Sequence, residues 1–390
     1  MAHALLWLNL LLPRGFKNPP YKLNLNDRRS LTQLMTNAHS VQSVLTHAAT
    51  LLNAKHNDAK TARLEAQLLL QNVLNVNRAW LIAHENDAIE AISGQANIYA
   101  AYEALINRRV NGEPIAYILG AREFYGLKLK VSPDTLIPRP DTETLVDAAL
   151  AKIPQNDNTS SSSFPRKRES NLNVNQELNV NQKMDSSFRG NDGVNLGEQS
   201  YLAQKLLDSA FRRNDDFRIL DLGTGSGAIA LAIAKHRPQA FVLALDVSQA
   251  ALDVAIVNAK NLKIPNVEFV LSDWFSALNQ QNNMQKFDVI VSNPPYIEQN
   301  DEHLSQGDLR FEPISALASG ADGLDAICII ISQAKNHLNP HGWLLLEHGY
   351  NQAANVANLL KKAGFSHIET IKDLGGNDRV TLGKISKLSF

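Results

Sequence analysis

From Phe217 onward, short apolar runs alternate with longer segments of helical period. "FRILDL", "FVLALD", "VEFVLSD" and "FDVIVSN" are short and rich in β-branched residues, as strands buried on both faces are. "AIALAIAKHR" and "QAALDVAIVNAKNL" lie between them and read as helices. "LDAICIIISQAKNHL" is a further helix, "GWLLLEH" a strand and "QAANVANLLKKAG" a helix. "HIETIKDL" and "DRVTLGKI" are expected to close the chain as an antiparallel pair. This alternation specifies an α/β fold with a mostly parallel sheet covered on both faces. Ligands of such sheets bind beyond the carboxyl ends of the strands, where the strand order reverses. Functional residues are therefore sought directly after the strands.

After the first strand stands "DLGTGSGAIALA". Gly223, Thr224, Gly225, Ser226 and Gly227 make a loop whose backbone can approach a ligand closely. Asp246 ends the second strand, about 20 residues on, where a carboxylate can accept ribose hydroxyls. Capping the next helix is the alternative reading of Asp246. Asp273 ends the third strand, placed to accept from an adenine amino group. Trp274 follows it, either beside the ring or simply packed in the core. The spacing departs from G-x-G-x-x-G, with Asp221 two residues before the first glycine. S-adenosylmethionine is the expected ligand and NAD its competitor.

The fourth strand ends in Asn293-Pro294-Pro295-Tyr296. A residue before proline is driven to extended backbone, and the prolines fix their own φ and donate no N–H. The turn thus presents acceptors, the Asn293 side-chain oxygen and the Pro294 carbonyl. Together they suit the two hydrogens of a planar –NH2 group, with Tyr296 packing on its flat face. Methyl transfer to an amide or aromatic amine needs that geometry, because the nitrogen lone pair is delocalised. The same four residues occur at Asn18-Pro19-Pro20-Tyr21, with no strand leading in and no glycine loop upstream. That copy is read as an ordinary proline turn.

Residues 1–40 show no period and read as a disordered extension, with Met35 as an alternative start. Residues 41–112 carry amphipathic helices, including "TARLEAQLLLQNVL" with Leu64, Leu68 and Leu69 on one face, and suggest a small helical bundle. Gly112 and Pro114 stop that run. Residues 113–153 hold a hairpin at Glu123–Val131, a proline turn around Arg139 and a helix with Thr142 at its N-cap. Residues 154–216 are rich in Asn, Ser, Gln and Asp, repeat "LNVNQ" and pair "DSSFRGND" with "DSAFRRND". They read as a disordered low-complexity insertion. Residues 217–390 form the α/β domain.

Composition removes several classes. The net charge is −1, which argues against a protein that holds long nucleic acid through phosphates. The one cysteine, Cys328 in "AICIIIS", reads as core packing, and it excludes a disulfide framework or a cysteine zinc site. No metal centre is expected. No apolar run reaches the length of about 18 residues that a membrane span needs. "MAHALLWLNLLLPRG" lacks the basic start and cleavage site of a signal peptide. A cytoplasmic monomer is expected.

The conjunction of motifs resembles the HemK/PrmC protein-glutamine N5-methyltransferases. It rests on "GEPIAYILG", "LIPRPDTE", "DLGTGSGAIAL", "NPPYI", "FEPISAL", "GADGLD", "WLLLEHGYNQ" and "GGNDRV". The resemblance implies a seven-stranded Rossmann-like class I methyltransferase domain and an N-terminal helical domain that helps bind the substrate. It implies methylation of the glutamine in the Gly-Gly-Gln motif of peptide chain release factors. It also puts the cofactor on Gly223–Gly227, Asp246, Trp274 and Asn293, and the substrate glutamine on Asn293–Tyr296. The rivals are glutamine methylation of a large-subunit ribosomal protein, amino-methylation of a nucleic-acid base, and a cofactor-binding protein without catalysis. No basic target-recognition domain favours the nucleic acid.

Overall fold

The computed structural model describes residues 40–56, 58–89, 97–154, 217–279 and 285–385. The N-terminal extension, the insertion and the first Asn-Pro-Pro-Tyr lie outside the described residues. The chain divides into two compact units, Met1–Ile115 and Ala116–Phe390.

The first unit contains α1 (Val41–His56), α2 (Ala59–Leu74), α3 (Arg78–Ala83) and α4 (Ile98–Val110). Asp58 caps α2 by accepting from the Lys60 and Thr61 N–H groups, and Asn77 caps α3 through the Trp80 N–H. The buried face of α2 is not the expected leucine stripe. Leu64 is 48% exposed, and the face runs instead through Ala62, Glu65, Ala66, Leu69 and Leu70. Short side chains let α4 come close: the Tyr102 hydroxyl donates to the Ala66 carbonyl at 3.0 Å. Arg109 meets Glu65 in a two-pronged pair, Nε to Oε2 and Nη2 to Oε1, each at 2.9 Å with both side chains buried.

The second unit opens with a hairpin of β1 (Ala121–Phe124) and β2 (Leu127–Lys130), after the short α5 (Ile115–Leu119). Its turn residues Tyr125 and Gly126 both have positive φ, 51° and 71°, as a two-residue hairpin turn requires. A 3₁₀ turn, Pro140–Thr142, leads into α6 (Glu143–Lys152). The large sheet comprises β3 (Arg218–Leu222), β4 (Phe241–Asp246), β5 (Val267–Leu271), β6 (Phe287–Ser292), β7 (Leu338–Glu347), β8 (Phe365–Lys372) and β9 (Asp378–Ile385). Its order is β5-β4-β3-β6-β7-β9-β8. The pairings from β5 through β7 are parallel, while β9 runs antiparallel to both β7 and β8.

Alternate residues of each strand feed opposite faces. Ile219, Val289, Val291 and Leu345 pack under α6 and α7 (Ala228–His236), with Ala259 and Leu262 of α8 (Gln249–Leu262) against the same cluster. Leu220, Leu222, Ile290, Leu344 and Leu346 pack under α10 (Asp325–Ala334), α11 (Ala353–Lys362) and the short α9 (Ser276–Asn279). Cys328 departs from expectation. The buried face of α10 is Ala326, Ile327, Ile330, Ile331 and Ala334, and the thiol lies on the exposed side. Among the described residues no helix is long and apolar enough to cross a membrane.

Replacing Arg109 by Met leaves the Glu65 carboxylate buried without its partner. The first unit should lose about 3–5 kcal/mol, and a Glu65→Met/Arg109→Met double variant should recover most of it. Hydrogen exchange checks this: protection should fall in Ala59–Leu74 and hold in β3, β4 and β6.

Candidate active site

β3 and β6 pair in parallel, with Leu222 opposite Ser292. The strand order reverses between them, since β4 and β5 lie beyond β3 while β7 lies beyond β6. The residues that follow, Gly223 and Asn293, therefore emerge side by side. The buried Ser292 hydroxyl donates to the Leu222 carbonyl at 2.7 Å and locks the two strand ends together.

The glycine loop is held from three sides. The Gly223 and Thr224 N–H groups both donate to the Leu245 carbonyl at 2.9 Å. The Thr224 hydroxyl donates to Asp221 Oδ2 at 2.7 Å. Burial pushes the Asp221 carboxyl up to about 7, against the opposing pull of that hydroxyl. Asn258 of α8 donates to the Ser226 carbonyl at 2.9 Å, and it also exchanges hydrogen bonds with the Lys130 backbone of β2. Gly227, at φ +82°, turns the chain into α7.

Asp246 accepts from the Gly225 N–H at 2.7 Å and from the Ser248 N–H at 2.9 Å, one on each oxygen. Each oxygen has a second lone pair, so the carboxylate can take a ligand hydroxyl as well. Burial raises its pKa, and the N–H groups of Ser248, Gly225 and Val247 oppose the rise. Asp246 is not the cap of α8. Ser248 fills that position, accepting from the Ala251 N–H at 3.2 Å.

A cavity of about 320 Å³ opens over this edge. Of the residues expected at the site, Gly223, Gly225, Asp246, Asp273, Trp274, Asn293 and Pro295 line it. Thr224, Ser226, Gly227, Pro294 and Tyr296 do not; Thr224, Ser226, Gly227 and Pro294 are buried scaffold behind the lining. Trp274 serves both of its readings. It lines the cavity with its ring 3.8 Å from where a Gly223 Cβ would stand, and it packs on the α10 side of the core. Its φ of +48° is uncommon for so large a residue.

Two segments close the cavity that residue-by-residue reading missed: Pro133–Leu136, and Pro313 with Ser315 and Ala316. Glu312 ties them together. Its buried carboxylate accepts from the Ile137 N–H at 3.0 Å and pairs with Arg139. The Tyr117 hydroxyl donates to the Thr135 carbonyl at 2.6 Å. The proline-rich "SPDTLIPRP" and "FEPIS" were the available signal, since prolines stiffen such segments without revealing what they cover.

The turn at Asn293 is rigid on its far side. The Tyr296 carbonyl accepts from Gln352 Nε2 at 3.0 Å, and its hydroxyl donates to Glu347 Oε1 at 3.3 Å. Gly323 passes so close that a Cβ there would run into the Tyr296 carbonyl. The Tyr296 ring packs on the same α10 side of the core. Asn293 Nδ2 donates to Thr142 Oγ1 at 3.2 Å. This corrects the capping role expected of Thr142. Its backbone is helical, φ −66° and ψ −18°, and its side chain makes no cap hydrogen bond. The hydroxyl oxygen accepts from Asn293 instead, and nearby the buried Glu347 carboxyl accepts from Tyr296 on Oε1 while its Oε2 has no hydrogen-bond partner among the described residues. Burial pushes Glu347 up to about 7, with Thr142, Arg379 and Tyr296 pulling down. Glu347 ends a strand just as Asp246 does, and that was the one sign of it in the sequence.

Comparison with known proteins agrees with this layout. A family profile described as the PrmC N-terminal domain matches residues 43–120, and one described as a methyltransferase domain matches residues 213–379. The chain is 42% identical over 322 residues to a release factor glutamine methyltransferase of Xylella fastidiosa, covering 83% of this chain and 93% of that one. It is 39% identical to that of Neisseria gonorrhoeae, covering 84% and 96%, and 38% identical to that of Escherichia coli, covering 84% and 93%. The chain belongs to the release factor glutamine methyltransferase family.

Proposed function

We propose that this protein transfers a methyl group from S-adenosylmethionine to the side-chain amide nitrogen of the glutamine in the Gly-Gly-Gln motif of peptide chain release factors. The relatives' shared name supports the substrate. The observation that carries the chemistry is the direction of the Asn293 amide. Its Nδ2 is spent on Thr142, which leaves Oδ1 as an acceptor on a residue that lines the cavity.

The residues present fit the methyl donor. The cavity volume lies at the small end of ordinary ligand pockets, about 300–1,000 Å³. Glycines face it from the β3 loop, a carboxylate with spare lone pairs stands at Asp246, and an aromatic ring stands at Trp274. Gly223, Gly225, Asp246, Asp273 and Trp274 would hold it. When bound, it supplies an electrophilic methyl on a sulfonium.

A glutamine amide is a weak nucleophile because its lone pair is shared with the carbonyl. Asn293 Oδ1 and the carbonyl of Pro294, whose ring is otherwise buried behind the lining, accept its two hydrogens and fix the plane and direction of the nitrogen. Such positioning alone can be worth several kcal/mol, up to roughly 7–11 in favourable cases. Both hydrogen bonds strengthen as the nitrogen becomes positive, so they favour the transition state over the ground state. The proton leaves after transfer, and no base need act before it. Pro294 and Pro295 hold the turn because their φ angles cannot relax. The fixed carbonyl of Tyr296 keeps the turn from swinging away.

Mass spectrometry of a release factor incubated with the protein and S-adenosylmethionine should show one methyl on the Gly-Gly-Gln glutamine. No methylation by folded, cofactor-binding protein, with methylation of a ribosomal protein instead, would move the substrate to that class. Asn293→Ala should still fold and bind cofactor but lose about 10²–10³ in turnover, the usual effect of deleting a transition-state hydrogen bond. Asp246→Ala should weaken S-adenosylmethionine binding about 10–100-fold in calorimetry, as loss of hydrogen bonds to a charged group does.

A further inference from the structure

The two segments that close the cavity are stiffened by proline and joined at Glu312. Along the strap Pro133–Thr142, Pro133, Pro138 and Pro140 have fixed φ angles and no N–H to donate. A residue before proline is held extended, and Arg139, before Pro140, has φ −100° and ψ 146°. On the facing segment Glu312 precedes Pro313 and is extended in the same way, at φ −90° and ψ 153°. A stiff, extended strap moves as a unit, so a hold at one point sets the position of its neighbours. Away from its middle, the strap is tied at the Thr135 carbonyl, which accepts from Tyr117, and at the Thr142 hydroxyl, which accepts from Asn293. Its middle is tied by Glu312. That side chain is fully buried, and its oxygens are divided: Oε2 accepts from the Ile137 N–H at 3.0 Å and Oε1 from the Arg139 guanidinium.

We propose that Glu312 and Arg139 are positioning residues for S-adenosylmethionine: their clasp pins Pro133–Leu136 to the Pro313–Ala316 segment, holds the cavity closed over the donor and slows its release. The proposal rests on the reading of this cavity as the donor's site. The lining residues Pro133–Leu136 lie just before the clasp on one segment, and Pro313, Ser315 and Ala316 just after it on the other. Glu312 and Arg139 do not line the cavity themselves, so they act through these walls. Phe311 also packs with Tyr117, Val131 and Ile137 beside the clasp. Apolar contact is non-directional, however, and does not set the spacing of the two segments. A charge-assisted hydrogen bond does set it, in both distance and angle. A buried carboxylate paired in this way adds little to folding stability, because its desolvation offsets much of the attraction. The clasp therefore contributes alignment of the walls more than cohesion of the fold.

Three variants of the full chain test this. Arg139→Met leaves the carboxylate without its charged partner, and Arg139→Lys keeps a cation there. Glu312→Gln/Arg139→Met removes both charges and keeps an oxygen that can accept from Ile137. Calorimetry and stopped-flow release of S-adenosylmethionine should show Kd and dissociation rate raised about 10-fold in Arg139→Met and in the double variant, the usual effect of losing one hydrogen bond between charged groups. Arg139→Lys should stay close to wild type. At saturating donor kcat should hold, so the loss falls on the KM for the donor. The melting temperature of the donor-free double variant should match that of wild type. Wild-type affinity in the double variant would overturn the proposal. So would losses of affinity that track losses in donor-free melting temperature across the three variants, the pattern of a purely structural pair. Hydrogen exchange gives a readout without turnover: bound S-adenosylmethionine should slow exchange of the Ile137 amide in wild type. An amide that exchanges equally fast with and without the donor would refute the clasp. Asp246→Ala separates the two readings. Unchanged affinity there as well as in the clasp variants would refute the cavity as the donor's site, and unchanged affinity in the clasp variants alone would refute only the clasp.

Discussion

The parallel pairing of β3 with β6 is the constraint on which the rest depends. It places the ends of two strands with different sequels in register, one running into a glycine loop and the other into Asn293. Every later device serves to keep those two ends where the pairing puts them. Ser292 closes the seam between them, Leu245 and Asp246 of β4 hold the loop from one side, and Gln352 and Glu347 hold the turn from the other. On the proposed reading, a methyl donor and a methyl acceptor held at adjacent strand ends are brought within reach of each other. The sheet supplies that proximity before either is bound, which is where most of the entropic benefit of positioning lies.

The architecture was largely legible in the sequence because its signals are periodic or conformational. Continuous apolar runs reveal buried strands, and glycines after a strand reveal a loop pressed against a ligand or a helix. A proline pair after asparagine reveals a turn that cannot relax. These signals located Gly223, Gly225, Asp246, Asp273, Trp274, Asn293 and Pro295 at one cavity. They failed where contact between distant segments decides. Leu64 follows the helical period yet is exposed, because the α2–α4 approach uses alanines and a buried ion pair. Thr142 has the sequence context of a helix cap, yet its hydroxyl is drawn to a partner 151 residues away. Glu312 and Arg139 are 173 residues apart and join two segments of the cavity wall. No local pattern encodes such pairs.

The two strand-end carboxylates show how differently the halves of the site are built. Asp246 is compensated by the backbone N–H groups of Gly225, Ser248 and Val247. Any sequence that makes the same loop supplies them, so the donor half depends on conformation, and glycines announce it. Glu347 is met by side chains: Tyr296 donates to Oε1, the Arg379 guanidinium attracts it, and Oε2 is left without a hydrogen-bond partner among the described residues. Each must be present by identity, and each comes from a different segment of the chain. A buried carboxylate held this way is poor at stabilising a fold, because the cost of removing it from water offsets much of its attraction to its partners. The turn side of the site therefore depends on contacts between distant segments, Thr142 with Asn293 and Glu347 with Tyr296, that neither periodicity nor spacing marks.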